Sequence, residues 1–258
     1  MQTDPKLLEE QAHQFLSQGK LEESSKGFKL AAEGYRSQGR HKQAAVCFAA
    51  AAGCSGKECG ESAFYRAALA YQEAARQSEL SGDFEYASLL YKYAAINYEK
   101  DGEFLNFSEC FYRSREAQRK FSTYLLISPK KIHHIAQGEG HRGVKARLKH
   151  LITAVTLTLA CLVWGHGERP WRAFFCAIAM VILCAVFYAW TDLNVGGVIS
   201  RPGFLNALYF STTTFTTVGY GDIVAVGPAK AMVMLEAFCG IFMMPLFIVS
   251  LSRKYMRL

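Results

Sequence analysis

The stretch TTTFTTVGYGD at 212–222 carries the chemistry most open to reading in this 258-residue chain. Thr217, Val218, Gly219, Tyr220 and Gly221 hold no catalytic grouping, only a hydroxyl, an apolar side chain, a phenol and two glycines. What such a run offers is its backbone. Glycine enters left-handed conformations without steric penalty, so alternate glycines let successive carbonyls point to one side of the chain. Rings of such oxygens can replace the hydration shell of an ion. The Thr217 hydroxyl adds an oxygen at one end of the row, and the Asp222 carboxylate closes the other. A backbone this irregular is tolerated at membrane depth only where its polar groups are satisfied or line a water-filled path.

The flanking segments place it at that depth. AFFCAIAMVILCAVFYAW (173–190) has 18 residues without a charge and ends in aromatics suited to a membrane interface. AKAMVMLEAFCGIFMMPLFIVSLS (229–252) predicts a second span, followed by Arg253, Lys254 and Arg257, with Glu236 as its sole acid. A third apolar run, LITAVTLTLACLVWG (151–165), reaches only ~22 Å as a helix, short of a ~30 Å hydrocarbon core. Arg142, Lys145, Arg147 and Lys149 precede it, and Arg169 and Arg172 follow it. Both ends therefore read as cytoplasmic, and the segment is expected to lie in the interface or to re-enter. Between the two spans, Pro202 suits the first turn of a helix through FLNALYFSTTTF. The negative C-terminal end of that helix would favour a cation.

TTVGYGD (216–222) is the selectivity-filter signature of potassium channels, and its setting resembles the two-transmembrane pore module of that family over about residues 172–254. The resemblance implies that potassium is coordinated by backbone carbonyls of Thr217, Val218, Gly219 and Tyr220, with Gly221 completing the filter. It also implies a homotetramer, with K+ as the permeant ion and no cofactor. Thr216 and Asp222 would support the filter, and Tyr209 and Phe210 would brace the Tyr220 ring, standing where family members often carry tryptophans. Some members pair the filter aspartate with an acid, but Thr213 stands at that place here. In the inner helix Gly240 and Pro245 are candidates for a hinge or gate; Gly240 serves equally for close helix contact, and Pro245 for a plain kink. Glu236 either lines the cavity or braces the pore helix.

The first half is of another kind. Residues 1–128 carry 16 Lys+Arg against 17 Asp+Glu, whereas residues 129–258 carry 13 against 5. The basic excess thus sits beside the apolar runs, which suggests an anionic membrane surface and not nucleic acid. Turn residues recur about every 20 positions (QGK at 18–20, QGR at 38–40, SGD at 81–83, DGE at 101–103), with helix formers between them. Such blocks predict helices packed antiparallel through short turns. AAEGYRSQGRHKQAAVCFAAAA (31–52) aligns with AAINYEKDGEFLNFSECFYRSREA (94–117). This resembles a tetratricopeptide array, in the longer-helix form of the soluble NSF-attachment proteins, with a two-helix period near 40. Cys54-x4-Cys59 lacks the second pair a zinc site needs. The acidic, polar start MQTDPKLLEE does not read as a secretory signal.

The expected fold is all-α, a helical repeat array followed by a membrane pore module. Its parts are a cytosolic repeat domain at 1–122, a basic connector at 123–150, an interfacial or re-entrant helix and turn at 151–171, and a pore domain at 172–254. The function it implies is passive, potassium-selective conduction, with no enzyme chemistry and with both termini on the cytoplasmic side of the plasma (inner) membrane. The repeat domain is expected to dock an unknown protein partner, and the connector to meet anionic lipid. No helix carries arginine at every third position, so no voltage sensor is expected, nor a sensing domain after the inner span. The alternative is a membrane-tethered helical-repeat adaptor with a vestigial or weakly selective cation pore.

Overall fold

The computed structural model describes residues 4–58, 60, 62–127 and 143–255. Cys59, Arg257 and the stretch 128–142, which holds most of the basic connector, lie outside the described residues. The chain divides into two compact units, Met1–Leu159 and Ala160–Leu258.

The first unit contains α1 (Pro5–Ser17), α2 (Leu21–Ser37), α3 (His41–Ser55), α4 (Ala63–Leu80), α5 (Phe84–Asp101) and α6 (Phe104–Ile127). Asp4 caps α1 through the Lys6 amide, with Pro5 in its first turn, and Asp83 caps α5 through the Tyr86 amide. Each helix packs on the next, as short connections require. Alanines fill the seams: Ala31, Ala32, Ala44, Ala68, Ala94 and Ala95 are all buried, so helix backbones approach closely.

Like residues make like contacts 63 positions apart. Tyr35 donates to Glu9 Oε2 at 2.7 Å, and Tyr98 donates to Gln72 Oε1 at 2.7 Å. Ser25 donates to the Ala51 carbonyl, and Ser88 to the Ser114 carbonyl. Cys47 and Cys110 are both buried, and Gly39 and Gly102 both turn the chain at positive φ. The repeating unit is therefore three helices, α1–α3 and then α4–α6, where the sequence suggests a two-helix period near 40. The reason is that the 20-residue turn spacing is common to every helix, whereas the hydrogen-bonding side chains return only at every third. Burial pushes both thiols, Cys47 and Cys110, up to about 12, so neither is a reactive thiolate at neutral pH.

The expected connector at 123–150 is shorter than its boundaries suggest. Helix α6 continues to Ile127 with Leu125 buried, and α7 (Gly143–Trp164) starts well before Leu151. Helix α7 has 22 residues, ~33 Å, because the basic residues before Leu151 join the same helix. Leu148, Leu151, Val155, Leu159 and Leu162 lie exposed along it at helical spacing. By length and composition Arg147–Gly167, Pro170–Ala189 and Ala229–Tyr255 can each cross a membrane. Length therefore does not set this segment apart from a span, whereas basic residues still stand on both sides of its apolar run.

The second unit is built on α8 (Pro170–Ala189), α9 (Phe204–Phe215) and α10 (Ala229–Tyr255), each of which packs on the other two. Among the described residues the molecule is all-α apart from one small antiparallel sheet in the order β2-β1-β3. Its strands are β1 (Leu193–Val195), β2 (Val198–Ser200) and β3 (Ile223–Ala225). Strand β3 follows directly on Asp222, with Val195 opposite Ile223 and Leu193 opposite Ala225. Cys184, Tyr188, Leu193, Ala207, Phe210, Ile223, Ala225 and Ala229 form the core that holds helices and sheet together.

Candidate functional site

Helix α9 ends at Phe215, and the predicted filter follows within two residues. Thr217, Gly219 and Gly221 have φ of +60°, +51° and +80°, while Val218 and Tyr220 keep negative φ. For a β-branched threonine a positive φ is an outlier that costs about 1–3 kcal/mol, so the surroundings must impose it. They do so through amides. The Thr217 amide donates to the Thr214 carbonyl at 3.0 Å, and the Val218 and Gly219 amides donate to the Thr213 carbonyl at 2.9 and 3.2 Å. These bonds satisfy carbonyls that the end of α9 leaves without helical partners. A trans peptide sets its C=O opposite its N–H. The carbonyls of Thr216, Thr217 and Val218 therefore point away from α9, all to one side.

The other predicted supports divide. Tyr209 stacks on Tyr220, centroids 6.3 Å apart and planes 2° from parallel, and its hydroxyl meets the Asp222 carboxylate. Phe210 turns instead to Tyr188 of α8, edge-on at 5.0 Å, because it lies on the core side of α9. Thr216 returns its hydroxyl to the Thr212 carbonyl at 2.8 Å and reaches the Thr213 carbonyl at 3.5 Å. Asp222 accepts from the Ile223 amide at 3.1 Å, and its own carbonyl accepts from the Gly196 amide of the β-hairpin.

Glu236 faces inward. Its Oε2 accepts from the Tyr188 hydroxyl at 2.7 Å, and its Oε1 accepts from the Ser211 hydroxyl. Gly240 lies against the end of α9: a Cβ placed there would meet the Phe215 carbonyl oxygen at 2.0 Å. Of the two roles open to Gly240, close contact is the one with a neighbour on it. Pro245 sits exposed inside α10, which runs unbroken from Ala229 to Tyr255.

Beside the run at 217–221 lies a cavity of about 580 Å³, lined by Phe210, Thr213, Thr217, Val233, Met234 and Ala237, among others. Val218 and Tyr220 are 53% and 71% exposed, and α10 leaves Met234, Phe238, Ile241 and Phe242 exposed.

Residues 175–257 match the family model described as ion channel. That match lies within the second unit. The chain is also 39% identical over 75 residues to the inward rectifier potassium channel Kirbac3.1 of Paramagnetospirillum magnetotacticum. That segment covers 27% of this chain and 25% of the relative, so the chain spans about a quarter of the relative's length. No solved structure matches the chain. The family match takes in most of α8, the sheet, α9 and α10, while the six-helix array lies outside it.

Three features escape a reading of the sequence. The hairpin had a signal: VGGV at 195–198 puts Gly-Gly between two strand-forming triplets, and both glycines adopt positive φ. The partners of Glu236 had none, because Tyr188 and Ser211 lie 48 and 25 residues away on helices whose relative phase is not written locally. The contact of Gly240 with Phe215 is of the same kind.

Proposed function

We propose that the protein is a potassium-selective channel that conducts passively through a homotetrameric pore. The observation that carries this is the alternation of backbone hand at 217–221, with the amides on the α9 side tied to its last carbonyls. Oxygens of Thr217, Val218, Gly219 and Tyr220, repeated around a fourfold axis, would supply stacked oxygen rings for a dehydrated cation. One chain leaves this site incomplete. The exposed Val218 and Tyr220, the open cavity beside them and the apolar face of α10 support closure by neighbouring copies.

Basic residues on both sides of the apolar run 151–165 support putting its two ends on one side, and both termini are assigned to the cytoplasmic face of the plasma (inner) membrane. Helix α7 then lies along the interface. The six-helix array is assigned to docking, in the manner of tetratricopeptide or NSF-attachment repeats, and regulates the pore through the basic stretch that meets anionic lipid. The experiment is ion flux in proteoliposomes holding the purified tetramer. K+ efflux that exceeds Na+ efflux at least tenfold supports the proposal. Equal fluxes leave a cation pore without selectivity, and a silent, verified tetramer returns the adaptor reading.

A further inference from the structure

Glu236 is 1% exposed and is the sole acid of α10. An acid that served the ion path would hold its oxygens toward water and cations. Both oxygens of Glu236 are instead taken by protein hydroxyls, Tyr188 on α8 and Ser211 on α9. The Cys184 thiol of α8 lies against the same carboxyl, and the Ser211 hydroxyl also reaches the Val181 carbonyl of α8 at 2.9 Å. Three helices thus meet at one side chain.

We propose that Glu236 is a positioning residue for selectivity, a hydrogen-bonded strut that fixes the pore helix α9 against α8 and α10. The inference rests on the channel reading above. Its geometry has two points. Glu236 holds Ser211, and Gly240, one turn further along α10, touches Phe215, one turn further along α9. Two contacts with the same spacing on both helices prevent α9 from rotating or sliding. The carbonyls of Thr213 and Thr214, which receive the filter amides, lie between those two points. A change at Glu236 therefore reaches the filter through α9, without Glu236 touching the ion.

Proton counting separates this strut from a charge. Ser211 has one hydroxyl proton and two acceptors in reach, Val181 O and Glu236 Oε1. A glutamine at 236 would donate to the Ser211 oxygen, free that hydroxyl for Val181, and still accept from Tyr188. The three-way tie survives without a carboxylate, whereas a cavity charge could not be replaced this way.

The test compares wild type, E236Q, E236A, S211A and Y188F as purified tetramers in proteoliposomes, reading the K+/Na+ flux ratio. The strut predicts that E236Q stays within about threefold of wild type and that E236A loses at least tenfold. S211A and Y188F each lose several-fold, and adding S211A to E236A brings no further loss. A tetrameric E236A with the wild-type ratio overturns the proposal, as does an E236Q that falls as far as E236A. Should E236A fail to assemble, S211A decides: a wild-type ratio there overturns the strut. A wild type that passes Na+ as fast as K+ removes the channel reading itself, an outcome distinct from a selective wild type indifferent to position 236.

Discussion

Thr217 carries a strained backbone that neither its own chemistry nor its exposed side chain requires. Its φ is set by amides fastened to the end of α9, and Gly219 and Gly221 continue the same alternation. Alanine in place of Gly219 would meet no neighbouring atom in the single chain, so the cost falls on the backbone, about 1–2 kcal/mol for an L-residue in the left-handed region. Gly219→Ala should abolish K+ flux and lower the thermal midpoint of the detergent-solubilised protein by about 2–8 °C. Gly240→Ala acts through a neighbour instead. Its Cβ would press on the Phe215 carbonyl, and over-packing of that kind costs about 1–3 kcal/mol. The midpoint should fall, and a chain that keeps it would show that α10 stands off from α9. The run at 217–221 stands out in the sequence because its chemistry lies in consecutive backbone units. Glu236 and Gly240 do not, because each takes its meaning from a residue on another helix.

Among the elements, the six-helix array was readable as helices from its turn residues and alanine-rich faces. Its three-helix period is carried by the 63-residue offset between 31–52 and 94–117, whereas the turns, which mark every helix, suggest a shorter one. That period gives a matched pair for measurement. Tyr35 and Tyr98 occupy the same place, but Tyr35 donates to the carboxylate of Glu9 and Tyr98 to the amide of Gln72. A hydrogen bond to a charged group contributes about 1.5–3 kcal/mol, against about 0.5–1.5 for a neutral one. Tyr35→Phe should therefore destabilise the array more than Tyr98→Phe in urea unfolding. Burial and the bond to Glu9 raise the Tyr35 phenol to about 12. The folded state then favours the neutral phenol, so its contribution is complete below the ordinary tyrosine value near 10 and is lost as pH climbs from about 10 to 12. Stability should be flat with respect to this group from pH 7 to 9 and fall above 10. Tyr35→Phe should lessen that alkaline fall. The β-hairpin belongs to this scale as well. Its Gly-Gly turn was visible in the sequence, but its pairing with the strand after Asp222 depends on a partner 30 residues on.

For the whole molecule, an all-α chain with a helical array ahead of membrane-capable helices is what turn spacing and hydropathy suggest, and the channel reading comes from the resemblance of 216–222 and its setting. The apolar run understates the extent of α7, because basic residues and apolar residues share one helix and a hydropathy run sees only the second kind. The account stands or falls on what the oxygen row at 217–220 does to an ion. The most direct measurement is the reversal potential of the reconstituted protein in a planar bilayer, with K+ on one side and Na+ at equal concentration on the other. The account predicts a reversal displaced toward the K+ equilibrium value, on the order of 59 mV for each tenfold preference, and lost in Gly219→Ala. A steady current that reverses at zero would contradict it.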